Sequence, residues 1–116
     1  MTISQLSIDP NTRTALDAFH IRILNRFGEK LRGLVLFGSR ARGDHRPDSD
    51  ADVAVFLDRI DDPVAAQMDI AEDSYAVFLS HELFIEPWVF LGEPEHPDRS
   101  RAGHLLDAVE AEGIKI

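Results

Sequence analysis

Two aspartates, Asp50 and Asp52, stand two residues apart at the start of an apolar run, Val53–Leu57. Short apolar runs bounded by turn residues are typical of buried strands. Because side chains alternate across a strand, both carboxylates should point to one face, roughly 6–7 Å apart. Carboxylates that lead into a buried strand repel each other and resist desolvation unless a cation lies between them. Mg²⁺ meets this need, since it takes one or two carboxylates and completes its shell with water and phosphate oxygens.

A second set of polar residues follows the preceding apolar run, Leu34–Phe37. Gly38 lets the backbone approach a ligand closely, and Ser39 offers a hydroxyl group and the start of a helix. Arg40 and Arg42 add positive charge to the same turn. A turn suited to phosphate beside acids suited to a metal ion indicates nucleotide chemistry. A solvated acidic loop or an opportunistic Ca²⁺ site is the alternative interpretation of the acids.

The spacing of these two groups resembles a known signature. Gly38-Ser39, then ten residues, then Asp50-Ala51-Asp52 resembles the motif of the DNA polymerase beta-like nucleotidyltransferases. The flanking stretches, residues 37–43 and 49–53, narrow the resemblance to the minimal nucleotidyltransferases, small proteins often paired with HEPN-domain toxins. The specific motifs lie within residues 37–57, whereas the resemblance in size and element order spans most of the chain.

The resemblance implies the nucleotidyltransferase fold and an enzymatic activity. We expect an α/β (α+β) architecture in which a small mixed β-sheet packs against helices, as one domain over residues 1–116. The implied reaction is Mg²⁺-dependent transfer of AMP from ATP, with two metal ions. Asp50 and Asp52 would hold the metal and act in catalysis. The nucleotide would be bound by Gly38, Ser39, Arg40 and Arg42.

Glu86 is a lone acid in a third apolar run, Leu83–Phe90. On a strand Glu86 shares a face with Trp88. If this face were exposed to solvent, an acid at this position would need no functional explanation. In families that this chain resembles, a third carboxylate on a following strand completes the metal site and can serve as general base. That acid is commonly Asp, so Glu is a departure, and Pro87 beside it favours an edge position or a bulge. We predict Glu86 as the third catalytic and metal-binding carboxylate.

The acceptor of the nucleotide is not specified by the motif. The resemblance implies an antitoxin that adenylylates a tyrosine of a HEPN-type ribonuclease toxin, in a type VII-like toxin–antitoxin pair that forms a hetero-oligomer. One alternative is a transferase acting on a small hydroxylated molecule such as an aminoglycoside, although those enzymes usually have an extra domain. Another alternative is a non-catalytic module that neutralises its partner by occlusion alone.

Length and composition limit the class of protein. With 116 residues, 44% of them hydrophobic, the chain suits one domain with a real core. It has no cysteine, which excludes disulfides and thiolate metal sites. Because no apolar run approaches the ~20 residues of a membrane span and the first residues lack signal-peptide features, we expect a cytoplasmic protein without membrane contact.

The distribution of charge bears on the partners. The net charge of −9 disfavours broad nucleic-acid binding, and we predict no nucleic-acid partner. Basic residues gather between Arg22 and Arg46, around the predicted nucleotide site, while acids dominate residues 58–73 and 93–112. The acidic regions suit a basic protein partner or simply form an acidic surface.

Helical patterns surround the predicted strands. Asp9-Pro10 predicts a helix to about Phe27, with one buried stripe formed by Leu16, Phe19, Ile23 and Phe27. A second helix should run from Asp61-Asp62-Pro63 to about Leu79, with its inward face formed by Val64, Met68, Ala71, Tyr75 and Phe78. Residues 92–97 should form a loop. Pro97-Asp98 should lead into a last helix that ends at about Glu112, and Gly103 weakens this helix, so that a late start or fraying is expected. Residues 114–116 should form a short strand or a contact for a partner.

Overall fold

The chain forms one five-stranded sheet with helices on both faces. The computed structural model describes residues 8–100 and 103–116. The elements in chain order are α1 (Pro10–Phe27), a 3₁₀ turn (Gly28–Lys30), β1 (Leu31–Phe37), α2 (Ser39–Arg42), β2 (Ala51–Leu57), α3 (Pro63–His81), β3 (Ile85–Glu93), β4 (His96–Pro97), α4 (Gly103–Glu112) and β5 (Ile114–Lys115).

The sheet is mixed, as predicted. Its strand order is β4-β3-β2-β1-β5, with β2 and β3 parallel and the other neighbours antiparallel. The α3 helix makes the crossover between the parallel pair, whereas β1 and β2 are joined through α2 and the polar loop. Because β2 lies between β1 and β3, residues at its start can meet side chains from both neighbouring strands.

Two apolar layers sandwich the sheet. On one face α1 and α3 cover alternate strand residues such as Leu36 and Val53. On the other face α4 places Leu106 and Val109 against Val35, Phe56 and other residues of the opposite parity. Asp52 shares its parity with Phe56, so its carboxylate belongs to the α4 face of the sheet.

The α1 helix begins and ends as the sequence predicts. The Asp9 side chain accepts a hydrogen bond from the Thr12 amide at 2.9 Å, and Gly28, with φ 55°, follows the last turn. The predicted stripe is buried at Leu16, Phe19 and Ile23, and its last member, Phe27, is partly buried.

The inward face predicted for α3 is wrong. Among its members Val64, Met68 and Tyr75 are 58–69% exposed, and the buried face consists of Ala66, Ile70, Asp73, Ser74 and Val77. On this buried face the Ser74 hydroxyl donates a hydrogen bond to the Ile85 carbonyl of β3. Asp73 is buried because arginines of α1 neutralise it: Nε of Arg22 lies 3.0 Å and Nε of Arg26 2.9 Å from its carboxylate oxygens. Hydrophobic periodicity alone cannot foresee such a polar contact between helices.

The remaining elements differ from the prediction mainly at their ends. The β1 strand starts three residues earlier than predicted, and β2 begins at Ala51. Residues 92–97 are not a loop, because β3 continues to Glu93 and pairs with β4 in a hairpin. Residues 98–100 are not helical, and the described part of α4 spans Gly103–Glu112; Ile114 pairs with Leu36 in a short strand. No helix in the described part of the chain is both long and apolar enough to cross a membrane.

Candidate functional site

Gly38 forms the turn between β1 and the four-residue helix α2. Its backbone angles, φ 76° and ψ −158°, lie in a region open almost only to glycine. A Cβ atom at this position would stand 2.4 Å from Oδ2 of Asp52. The turn therefore touches the first acid-bearing position of β2, and only glycine permits this contact. The two halves of the predicted nucleotide site lie side by side.

Asp52 and Glu86 are direct neighbours in the parallel ladder between β2 and β3. Adjacent strands lie about 4.8 Å apart, so two acids in register share one small volume. Trp88, two residues further along β3, donates its indole N–H to Oδ1 of Asp52 at 3.3 Å. This bond orients the Asp52 carboxylate on the α4 face of the sheet.

Two acids at this site, Asp52 and Glu86, have a raised pKa. Burial raises the pKa of Asp52, and the negative charges of Asp50 and Glu112 add to the rise, while the Trp88 hydrogen bond and the Arg42 charge oppose it. Burial also raises the pKa of Glu86, together with the charges of Asp52 and Asp50. Three carboxylates thus lie within electrostatic reach of one another without enough positive charge between them.

This donor set suits a hard divalent cation. Carboxylate oxygens are the ligands that Mg²⁺ prefers, and the mutual repulsion of these acids is what a cation would relieve. Within residues 8–100 and 103–116, no group of three or more His, Cys, Asp or Glu side chains is arranged to hold a metal ion. Mg²⁺ usually takes one or two protein carboxylates and adds substrate phosphate oxygens, so a pair from this cluster fits that mode of binding.

Glu112, the last residue of α4, holds the Gly38 turn. Its Oε1 accepts a hydrogen bond from the Gly38 amide at 2.9 Å. Arg42 donates from Nη1 to both carboxylate oxygens of Glu112, at 3.1 and 3.0 Å. We call the Gly38 amide and the Arg42 guanidinium the anion cradle. It already holds one anion, supplied by the chain itself.

The two predicted arginines have different surroundings. Arg42 lies at the anion cradle, and its half-exposed side chain also contacts Asp44 at 3.2 Å. Arg40 is only 6% exposed and lies away from the cradle. Its guanidinium donates to the Ser49 carbonyl, the Thr12 hydroxyl and the Pro47 carbonyl; the N···O distances are 2.9, 2.9 and 3.2 Å, respectively. The structure thus places Arg40 as an anchor for the polar loop, because its buried charge is fully engaged there.

Ser39 and Asp50 lie at the margins of the site. The Ser39 carbonyl accepts hydrogen bonds from the amides of Gly43 and Asp44, which closes α2. Asp50 precedes β2 and is exposed, yet it is close enough to act on the pKa of both Asp52 and Glu86. The structure therefore brings together Gly38, Arg42, Asp50, Asp52 and Glu86, with Ser39 beside them.

Two residues at the site were missed by reasoning from sequence. Trp88 could have been found, since strand alternation puts it on the same face as Glu86. Glu112 carries no local signal, because it lies 74 residues from Gly38 in the chain. Only the packing of α4 on the sheet brings its carboxylate to the turn.

The chain matches a protein family described as "Nucleotidyltransferase domain" over residues 20–83, more than half of its length. Among solved structures it is similar to a chain of a toxin–antitoxin complex with AMP-PNP, at 24% identity, covering 84% of this chain and 68% of that one, with a TM-score of 0.56. No curated protein sequence is detectably similar.

Two further solved structures share the fold. One is a tri-AMPylated Shewanella oneidensis HEPN toxin in complex with an MNT antitoxin, at 19% identity and a TM-score of 0.52, with 97% of this chain and 71% of that one covered. The other is the toxin–antitoxin pair MntA–HepT, at 20% identity and a TM-score of 0.52, with coverages of 89% and 69%. At these identities the likeness establishes a common fold.

Proposed function

This chain belongs to the nucleotidyltransferase domain family, and from that premise we propose that it transfers AMP from ATP to a hydroxyl group of a protein partner. One observation carries the proposal: Gly38 has no room for a side chain because the Asp52 carboxylate lies against it. A donor turn for phosphate and a cluster of carboxylates therefore adjoin, as one triphosphate with its cation requires.

The anion cradle would bind the triphosphate. The Gly38 amide donates to a phosphate oxygen, the Ser39 hydroxyl offers a second donor, and Arg42 supplies a charged, two-pronged contact. These donors are suited to phosphate because they are fixed by the turn and by α2. Arg40 takes no part in our proposal, since its guanidinium anchors the polar loop.

The carboxylate cluster would hold the metal and move a proton. Asp50 and Asp52, with Glu86 beside them, would hold Mg²⁺, which when bound neutralises charge on the polyphosphate. Glu86 would accept the proton of the attacking hydroxyl, because it lies beside Asp52 in the β2–β3 ladder and so next to the proposed reaction centre. In the transfer the hydroxyl oxygen forms a bond to the α-phosphorus, the bond to pyrophosphate breaks, and the proton passes to Glu86.

We propose a HEPN-type toxin as the protein partner and a tyrosine hydroxyl as the acceptor. The tri-AMPylated toxin complex that shares this fold supports this choice. The surface of α3 supports it as well. Large apolar side chains there, such as Met68 and Tyr75, face solvent, and contiguous exposed apolar patches mark contacts with other proteins.

The test is transfer of AMP to the partner in the presence of ATP and Mg²⁺, followed by intact mass spectrometry of the candidate HEPN-type toxin. The wild-type chain should add one or more AMP groups. The double variant Asp50→Asn/Asp52→Asn should lose transfer by at least about 10²-fold, as expected when charge stabilisation at the reacting phosphate is removed. Asp48→Asn, an exposed acid of the same loop, is the matched control and should retain activity. Full activity in the double variant would refute the proposed site.

A second candidate function is neutralisation by occlusion without catalysis. Glu112 favours it, because this carboxylate already fills the donors that a nucleotide would use. The same mass spectrum separates the two functions: an inhibited partner of unchanged mass indicates occlusion, and AMP adducts indicate transfer.

A further inference from the structure

The anion cradle is filled by the chain's own carboxylate. Glu112 accepts one hydrogen bond from the Gly38 amide and two from Arg42, with N···O distances of 2.9–3.1 Å. Its side chain is only 21% exposed. Three charge-assisted or amide hydrogen bonds to a shielded carboxylate form a defined contact rather than a loose surface pair.

The position of Glu112 is fixed by the fold. Val109, one turn earlier in α4, is buried against the sheet, and Ile114, two residues later, pairs with Leu36 near the end of β1. The end of α4 is therefore held from both sides, directly beside the turn that follows β1. Because the end of α4 is fixed in this way, no loop has to become ordered before the Glu112 carboxylate can reach the cradle.

We propose that Glu112 competes with the phosphate groups of the nucleotide for the anion cradle and so sets the affinity of the site for polyphosphates. The inference rests on the proposed function, since it concerns the same site. A carboxylate and a phosphate oxygen need the same donors, and two anions cannot share one amide N–H. The triphosphate must displace Glu112, and the negative charge of Glu112 also opposes its approach.

The consequence is a site that discriminates by charge. A ligand with several phosphate oxygens can replace all three hydrogen bonds of Glu112 and bind a cation at the neighbouring acids. A ligand with a single carboxylate only replaces the Glu112 carboxylate by another, and it therefore gains little binding free energy. The cradle therefore stays closed to small anions such as acetate and opens to pyrophosphate and ATP.

The test is direct binding of MgATP and of magnesium pyrophosphate by calorimetry to the full chain and three variants. Glu112→Ala should bind both ligands about tenfold more tightly than wild type, because the competing hydrogen bonds are gone. Glu112→Gln should gain less, since its amide oxygen still accepts from Gly38. Glu112→Asp keeps the charge but is one methylene shorter, and it should bind more tightly than wild type if the contact itself is what competes.

The control is Glu110→Gln, on the same helix. Glu110 pairs with Arg99 instead of the cradle, so this variant should bind both ligands as wild type does. Unchanged or weaker binding in Glu112→Ala, while wild type binds MgATP, overturns the competition and leaves the proposed function intact. Absence of binding in wild type and in every variant overturns both.

Thermal unfolding of each variant accompanies the titrations, because a misfolded protein would also fail to bind. Amide NMR gives a second measurement that does not need the ligand. The Gly38 amide proton should move upfield in Glu112→Ala, since it loses a hydrogen bond to a charged acceptor, and it should stay in place in Glu110→Gln. An unmoved Gly38 resonance in Glu112→Ala overturns the inference.

Discussion

At the scale of single residues, the site depends on a glycine, because position 38 has no room for a side chain. Gly38 adopts φ 76° and ψ −158°, and the space that a Cβ would fill is taken by the Asp52 carboxylate at 2.4 Å. The backbone conformation and the contact are separate constraints. Gly43 closes α2 with φ 86° and ψ 7°, in the left-handed region, and a Cβ there would meet nothing within 4 Å. Substitutions at the two glycines can therefore distinguish the effect of backbone strain from that of a collision with Asp52.

We predict that Gly38→Ala lowers the free energy of unfolding by about 2–3 kcal/mol and weakens MgATP binding at least tenfold. The added methyl group must push Asp52 away from the cradle. Gly43→Ala is the matched control and should cost only about 1–2 kcal/mol, with unchanged MgATP affinity. Urea unfolding and calorimetry measure the two quantities. Equal losses of affinity in both variants would show that strain, and not the contact with Asp52, governs the site.

The role of a residue could be predicted from the sequence only where its contacts follow from local patterns or from a known motif. The family resemblance implied that Glu86 joins Asp52, and the register of β3 against β2 makes the two residues direct neighbours. The position of Arg40 could not be predicted, because it is set by carbonyl groups of the polar loop and by Thr12 of α1. Two arginines in one turn look alike in sequence, and only burial distinguishes them. The same holds for Glu112, whose contact with Gly38 spans 74 residues.

At the scale of elements, the polar loop between α2 and β2 is held by Arg40. Its side chain bridges the loop carbonyls of Pro47 and Ser49 to the start of α1 at Thr12. It also lies 3.6 Å from the Asp9 carboxylate, which caps α1. One buried guanidinium thus joins a helix start, a loop and the entrance to β2. Arg42, two residues later, faces the cradle instead.

We predict opposite effects for the two arginines. Arg40→Met should lower the free energy of unfolding by about 2–4 kcal/mol, because loop carbonyls and the Asp9 carboxylate lose their buried donor. Arg42→Met should lower it much less than Arg40→Met does, since the half-exposed Arg42 guanidinium leaves its partners within reach of water, but should weaken MgATP binding about tenfold. Each variant is the control for the other. A reversed order in either measurement would contradict these assignments.

The α3 helix shows why periodicity located the element but not its orientation. The start of the helix follows from Asp62 and Pro63, and the structure confirms it; the helix ends at His81, two residues after the predicted end at Leu79. Its strongest apolar stripe faces solvent, while Asp73 and Ser74 face the interior. Asp73 is tolerated inside because two arginines of α1 neutralise it. A buried ion pair between helices leaves no trace in the hydrophobic pattern of one helix.

At the scale of the whole molecule, charge and exposed apolar surface lie on the same helix. The α3 helix contains three acids and neither lysine nor arginine, and the chain as a whole carries a net charge of −9. Its solvent-facing stripe consists of Val64, Met68, Ala71, Tyr75, Phe78 and Leu79. The three acids of α3 pair with arginines of α1, so it is the net negative charge of the whole chain that opposes the approach of a second copy. A partner with an apolar face flanked by basic residues complements the stripe instead.

We predict that Met68→Asp and Tyr75→Asp each weaken the complex with the proposed HEPN-type toxin at least tenfold, because a charge is buried in an apolar contact. In the isolated chain these positions are 68% and 58% exposed, so the melting temperature should hardly change. Asn25→Asp, an exposed position on α1, adds the same charge elsewhere and serves as control. Calorimetry with the purified toxin measures the affinities. Unchanged affinity in both stripe variants would place the interface on another surface, and the exposed apolar stripe would then need a different explanation.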